Sequence, residues 1–347
     1  MKKTFLASTA LATAAMIAAG PALAEGIDIS MASKFIASWG DQDSSSDTSN
    51  LGHDFATNTE ITFKGSKALD NGITVGFAIE MEADANENAN GDAAVGGTVA
   101  DENSLWFEGA FGKVQLGNND GAADVYGINA TYVGVQVGGI SNPTGTIINS
   151  LRTYTSATDV NINNDASDNT AIDYFTPRFA GVQGAVGYMA EGGTYDGLWG
   201  FGLSYTGEFS GVSVDLGAHY ASGAMNAQTN DNTDTTGYLF GAKLGYQGFS
   251  LAAGYADNEI DKGVSDEQVW NVGVGYANDQ FGVALAYLDG EEDVAGANIE
   301  EASLSVKYTV APGVSVFASG LMGETQAVTA GTKTDYSMVT LGTAVSF

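Results

Sequence analysis

Val339-Thr340-Leu341-Gly342-Thr343-Ala344-Val345-Ser346-Phe347 closes the chain as an alternating segment that ends on an aromatic residue. Val339, Leu341, Val345 and Phe347 share one face, interrupted only by Thr343. Thr340, Gly342, Ala344 and Ser346 share the other. Terminal residues of a soluble domain usually fray into solvent, so alternation carried to the last residue predicts a strand held in a sheet. A closed sheet has that need, because an open edge in lipid would bare unpaired backbone groups. The stretch therefore predicts a barrel that closes with its last strand.

The opposite end of the chain agrees. Met1-Lys2-Lys3 is a short basic region, Phe5 to Ala19 is an apolar run, and Ala22-Leu23-Ala24 is a small-x-small cleavage site. These features predict a signal peptide over 1–24, with the mature barrel domain over 25–347. The apolar core is too short for a transmembrane anchor. Removing Lys2 and Lys3 takes the net charge from −30 to −32 and leaves 42 acidic against 12 − 2 = 10 basic residues. Such acidity excludes nucleic-acid binding through a basic surface. The chain has no cysteine, which excludes disulfides, thiolate chemistry and Cys-based metal sites. Mean hydropathy is near zero and no mature run of 18 apolar residues occurs, so helical spanning is excluded.

Beyond Glu25 almost every segment alternates with period two, and none sustains a helical period. Phe249, Leu251, Ala253 and Tyr255 face one way, and Ser250, Ala252, Gly254 and Ala256 the other. Trp270, Val272, Val274 and Tyr276 alternate with Asn271, Gly273 and Gly275, and Phe281, Val283, Leu285 and Tyr287 with Gly282, Ala284 and Ala286. A soluble sandwich would carry charge and Thr on its second face. Gly, Ala and Ser there suit a curved wall around a watery lumen.

Sixteen such segments are predicted: 26–40, 55–67, 73–84, 103–110, 113–118, 170–176, 182–190, 198–206, 212–221, 236–246, 249–257, 267–277, 280–289, 299–309, 314–323 and 334–347. Their connections alternate between short turns and long, acidic loops, the largest being 119–169. The reading is an all-β fold, a transmembrane antiparallel 16-stranded β-barrel with short turns at one end and long loops at the other. Aromatics fit this geometry. Tyr205, Phe209, Tyr246, Phe249, Tyr276, Phe281, Tyr308 and Phe347 flank the short turns, while Trp39, Tyr188, Trp199, Tyr220, Tyr238, Tyr255, Trp270 and Tyr287 lie toward the long loops. Two such rims are the girdles of a lipid-facing wall.

Three stretches carry a family resemblance. Thr59-Glu60-Ile61-Thr62-Phe63-Lys64-Gly65-Ser66-Lys67-Ala68-Leu69-Asp70-Asn71-Gly72, continuing to Glu80, resembles the second hairpin of Gram-negative general porins. Phe111-Gly112-Lys113-Val114-Gln115-Leu116-Gly117 resembles their strand before the third loop, and Asp173-Tyr174-Phe175-Thr176-Pro177-Arg178-Phe179-Ala180-Gly181 their segment after it. The match spans the mature chain and is nearest the alphaproteobacterial type. The resemblance implies a homotrimer in the outer membrane, embedded in its lipid. It also implies passive diffusion of small hydrophilic solutes and ions, and a terminal aromatic, Phe347, read as a signal by the outer-membrane assembly machinery. The third loop lacks the Pro-Glu-Phe motif of enteric porins, so their constriction residues do not transfer by position.

Sixteen strands enclose an aqueous channel, and the 51 residues of 119–169 exceed what a hairpin needs. Tyr132 to Ile140 and Ile147-Ile148 are too apolar for a loop standing in water. Family analogy folds this loop into the lumen as an eyelet; an extracellular cap or a trimer contact are the other readings. Lys34, Lys64, Lys243 and Lys307 fall on lumen faces, with Lys113 at a strand start. Asp28, Glu80, Glu108 and Asp215 oppose them, and Asp120 and Asp124 open the third loop. Arg152 and Arg178 are further basic candidates. The acidic balance predicts a weak cation preference. No cofactor is predicted, although Asp41-Gln42-Asp43, Asn118-Asn119-Asp120-Gly121 and Asp165-Ala166-Ser167-Asp168 hold hard oxygen ligands suited to structural calcium. A substrate-specific channel is the alternative function. A barrel enzyme is a weaker one, since His53 and His219 lack an evident catalytic partner, although His219 shares its face with Asp215.

Overall fold

The computed structural model describes residues 26–44, 53–83, 100–121, 125–133, 169–190, 195–225, 233–261, 265–293, 296–327 and 332–347. The expected signal peptide, Asp124, Arg152 and Asp165–Asp168 lie outside these residues. The strands are β1 (Asp28–Ser44), β2 (His53–Ala68), β3 (Thr74–Glu82), β4 (Ala100–Gly109), β5 (Gly112–Asn119), β6 (Asn169–Phe175), β7 (Val182–Met189) and β8 (Tyr195–Phe209). They continue as β9 (Val212–Met225), β10 (Thr233–Tyr246), β11 (Phe249–Ile260), β12 (Ser265–Ala277), β13 (Phe281–Glu292), β14 (Ala297–Ala311), β15 (Val314–Ala327) and β16 (Thr332–Ser346). Each pairs antiparallel with its sequence neighbours, and β1 pairs β16 to close the barrel. All sixteen expected strands are present. Among the described residues no helix is long and apolar enough to cross a membrane.

Many strands extend past the expected boundaries toward the long loops, as in β8, which begins at Tyr195 rather than 198. Backbone pairing needs only matching partners, so the wall continues where polar residues end the apolar alternation that marks a strand in sequence. The short turns show local causes. Ala180-Gly181, Ser210-Gly211 and Gln247-Gly248 each place two successive residues at positive φ, between 48° and 88°. That is the twist-matched two-residue hairpin turn, and glycine at its second position removes half of the steric cost.

Alternation separates the two faces of the wall. Large apolar residues such as Phe35, Leu105, Leu203, Leu251, Leu285 and Leu341 are exposed on the outside. With no second layer to bury them, only lipid satisfies such a surface. The girdles are built from cross-strand rings. Phe249 and Tyr276 sit 4.8 Å apart near the short turns, and Tyr188–Trp199 (4.6 Å) and Trp270–Tyr287 (5.4 Å) sit toward the long loops.

The inner wall is less uniformly watery than the Gly/Ala/Ser pattern implied. Met189, Leu198, Leu239, Val269, Leu288 and Ile299 line its long-loop half from β7 to β14 and are buried. Trp106, Phe175, Phe317 and Tyr336 also point inward. Trp106 fills the space a side chain at Gly76 would need, and Phe317 does the same at Gly342.

Candidate functional site

The lumen is shaped by the start of the third loop. Asn119 anchors its root: the Asn119 amide donates to Asp173 Oδ2 (3.1 Å) and to the Asp120 carbonyl (2.8 Å), with Asn119 and Asp173 both buried. Residues 125–133 then lie against the inner wall of β9 to β13. Tyr126 is buried, its ring edge-on to Phe175 at 6.3 Å, and burial pushes its phenol up to about 12, so it stays neutral. Asn129 organises the next turn. Its Oδ1 accepts from the Thr131 backbone N–H (2.9 Å) and hydroxyl (2.7 Å), starting the short 3-10 turn Ala130–Val133. Two wall side chains hold that turn. Ala130 N–H donates to Asn271 Oδ1 at 2.8 Å, and the Ser250 hydroxyl donates to the Val133 carbonyl at 2.8 Å. The described part of the loop is thus neither an extracellular cap nor a trimer contact. It folds into the lumen.

In a 16-stranded barrel, strands eight apart face one another, so the loop seated on β9–β12 faces β1–β4 across the bore. That facing wall carries Lys34 and Lys64 against Asp28, Glu108 and four further glutamates. Glu60 stands directly opposite Glu82, and Glu80 directly opposite Glu102, in the strand register. All four are half-buried inner-face residues, and Glu80 accepts from the Thr62 hydroxyl at 3.3 Å. Like charges in direct cross-strand register are unfavourable, so their clustering concentrates negative potential in the bore.

The expected site residues fall into three groups. Lys64 and Lys113 lie in one electrostatic neighbourhood with Glu108, Glu102 and Asp173, and Lys113 Nζ sits 5.4 Å from the centre of the Phe175 ring. Asp28 pairs with Lys64 in register, as Asp215 does with Lys243. Lys34 is registered with Asn58 and Ala344, and Lys307 with Gly282 and Phe317, so neither faces a carboxylate directly across its strand pair. Asp120 is exposed at the loop root. Arg178, at a short turn, reaches inward: it donates to the Gly181 carbonyl (2.7 Å), Gln183 Oε1 (2.8 Å) and the Ser204 hydroxyl (3.2 Å).

The sequence reading missed Glu60, Glu82 and Glu102 as bore residues. Their signal was available in the alternation of Glu60 with Ile61 and of Glu80 and Glu82 with Met81. His219 and Asp215 do share the inner face of β9, but four strand residues separate them by about 13 Å. Asp215 instead faces Lys243. His53 lies at the rim with its ring 6.0 Å from Phe55. Among the described residues no group of three or more His, Asp or Glu side chains is arranged to hold a metal ion.

A closed, lipid-facing barrel whose lumen is narrowed by an inward loop and lined with charge is a channel. The chain matches the Gram-negative porin family over residues 7–328. It belongs to that family: an outer-membrane channel for passive diffusion, not an enzyme. No curated protein matches the sequence. Among solved structures, the anion-selective porin from Comamonas acidovorans is similar, at 16% identity and a TM-score of 0.66, with 93% of this chain and 99% of that one covered. A loop-deletion mutant of OmpT, an outer membrane protein of Vibrio cholerae, is 14% identical with a TM-score of 0.61, covering 93% and 99%. A mutant of the Rh. blastica porin is 16% identical with a TM-score of 0.60, covering 93% and 100%. At these identities the likeness establishes the fold.

Proposed function

We propose that this porin is a general diffusion pore with a weak cation preference. The observation that carries the reading is the facing wall of β1–β4, where Glu60, Glu80, Glu82 and Glu102 outnumber Lys34 and Lys64 opposite the seated loop. Fixed charge of one sign in a narrow aqueous bore raises the local concentration of counter-ions. The Comamonas porin is anion-selective by name, so the shared barrel leaves selectivity to the lining residues. A substrate-specific channel would favour a continuous track of aromatic side chains. Among the described wall residues the inward aromatics fall in two groups far apart on the barrel, Trp106 and Phe175 on β4 and β6 and Phe317 and Tyr336 on β15 and β16, and Trp106 and Phe317 pack over Gly76 and Gly342. The zero-current potential across a planar bilayer in a tenfold potassium chloride gradient tests the reading. A cation-side potential that shrinks as salt rises is expected; an anion-side potential at low salt would refute it.

Assembly as a homotrimer is part of the same proposal and rests on the family resemblance. Ala37 and Gly65 are small outward-facing residues of the early strands. Gly65 is covered by the Phe77 ring, and Phe35 and Phe55 stack at 5.9 Å beside Ala37. The face is therefore an exposed aromatic surface, equally able to meet a second copy. Native mass measurement in mild detergent should give three times the mass of the mature chain. A monomer alone would overturn the trimer.

A further inference from the structure

We infer that a row of glycines on the inner wall, ended by Asn271, is the seat that positions the third loop and thereby sets the bore. Gly217 on β9 is registered with Gly241 on β10, Gly241 with Gly254 on β11, and Gly254 with Asn271 on β12. Four adjacent strands thus present three glycines and one short amide at one level. The loop lies along that level. A Cβ at Gly217 would overlap the Tyr126 carbonyl oxygen, and one at Gly241 the Ile128 carbonyl oxygen. On β12, a Cβ at Gly273 would come within 2.7 Å of the Ala130 carbonyl oxygen, and one at Gly275 would overlap that of Val133. Adding a methyl group at Gly217, Gly241, Gly273 or Gly275 demands that the loop backbone move.

The dimensions agree. Crossing from β9 to β12 covers three strand spacings, about 14 Å. Tyr126 to Ala130 is four residue steps, which reach about 13–14 Å when fully extended. The loop segment therefore crosses the strands nearly taut, with its carbonyls against Cα–H groups, which are weak donors. Asn271 is the stop at the end of the row. It is 1% exposed, and its Oδ1 accepts from Ala130 N–H at the point where the chain leaves the extended path and enters the Ala130–Val133 turn. Ser250, registered with Gly275, holds the far end of that turn through the Val133 carbonyl. These are positioning residues: they act on permeating ions only through the loop they hold.

The test is single-channel recording on the full-length porin, with heat-modifiable migration confirming a folded barrel for each variant. Gly241→Ala should push the loop off the wall and lower conductance by about twofold, since conduction follows the narrowest lining. Gly320→Ala, on β15 where a Cβ meets nothing within 4 Å, should leave conductance unchanged. Asn271→Ala removes atoms rather than adding them, so it serves if Gly241→Ala does not fold; it should raise open-channel noise. Gly241→Ala and Asn271→Ala channels with wild-type conductance and noise would overturn the inference.

Discussion

Replacing Glu60, Glu80, Glu82 and Glu102 together by glutamine is expected to shrink the cation-side zero-current potential severalfold at low salt. The four side chains stand on β2, β3 and β4 as two directly opposed pairs, facing the wall on which the third loop is seated. A carboxylate about 10 Å from the bore axis changes the energy of a passing monovalent ion by about 0.4 kcal/mol in water, reduced by screening at 0.1 M salt to about 0.15 kcal/mol. Four such charges sum to about 0.6 kcal/mol, roughly threefold in cation occupancy, with a similar opposite change for anions. Asp28, Glu108, Asp173 and Asp215 remain on the inner wall beside Lys34, Lys64, Lys113, Lys243 and Lys307, so removing the glutamates leaves that part of the lining close to balanced. Glutamine keeps the shape of glutamate and its capacity to accept from Thr62, so the barrel should fold unchanged. At 1 M salt, where the Debye length is about 3 Å, variant and wild type should converge. A variant with wild-type selectivity at low salt would place the selective charge elsewhere, most directly on Asp120 and the loop. That outcome would sink the wall reading without touching the channel itself.

The barrel was legible because lipid enforces a rule that each strand must obey separately. Leu251 and Leu285 had to face outward, and the short turns between strands had to be compact, so period two and turn chemistry marked the strands one by one. Lumen faces follow the same alternation: Lys64, Lys243, Glu80 and Asp215 stand on one face of the wall, in register with one another's strands. What alternation cannot give is height and azimuth. Whether Glu60 meets Glu82, or Gly217 meets Gly241, depends on register between strands, and a shift by two residues preserves each face while changing every neighbour. The glycine track shows the consequence. Glycines on the inner face looked like small residues bordering water, yet Gly217, Gly241, Gly273 and Gly275 bear the loop backbone. The apolar inner residues Leu239 and Leu288 were similarly hidden, since each sits beside an outward Tyr, Tyr238 or Tyr287, and reads as part of an apolar run.

Deleting Phe347 should cut the amount of assembled porin in the outer membrane by at least about tenfold while leaving the finished channel nearly intact. The two halves of that expectation follow from different parts of the residue. Its backbone makes the last rungs of the closing seam: Phe347 N–H donates to the Met31 carbonyl (3.0 Å), and Met31 N–H donates to the Phe347 carbonyl (3.2 Å). Each such bond contributes about 0.5–1.5 kcal/mol net. The seam keeps its register from Ala32–Ser346 to Ser44–Thr334, and Ser346 N–H still donates to Gly313 on the other side. Loss of two rungs from so long a seam does not open it. The side chain, in contrast, does little for the finished barrel, because the residue is 79% exposed at the end of the outer face. An aromatic ring left outside the fold is available to a recognising partner, and burying it there would supply about 1.5–3 kcal/mol, tenfold or more in affinity. The measurement is therefore double: outer-membrane abundance in cells, and conductance and thermal unfolding of the same variant refolded from denaturant. Normal abundance would refute the recognition role. Low abundance with a refolded barrel that melts far below wild type would place the effect in seam stability instead. Low abundance with a normal refolded channel is the expected pair, and it separates how this barrel is delivered from how it conducts.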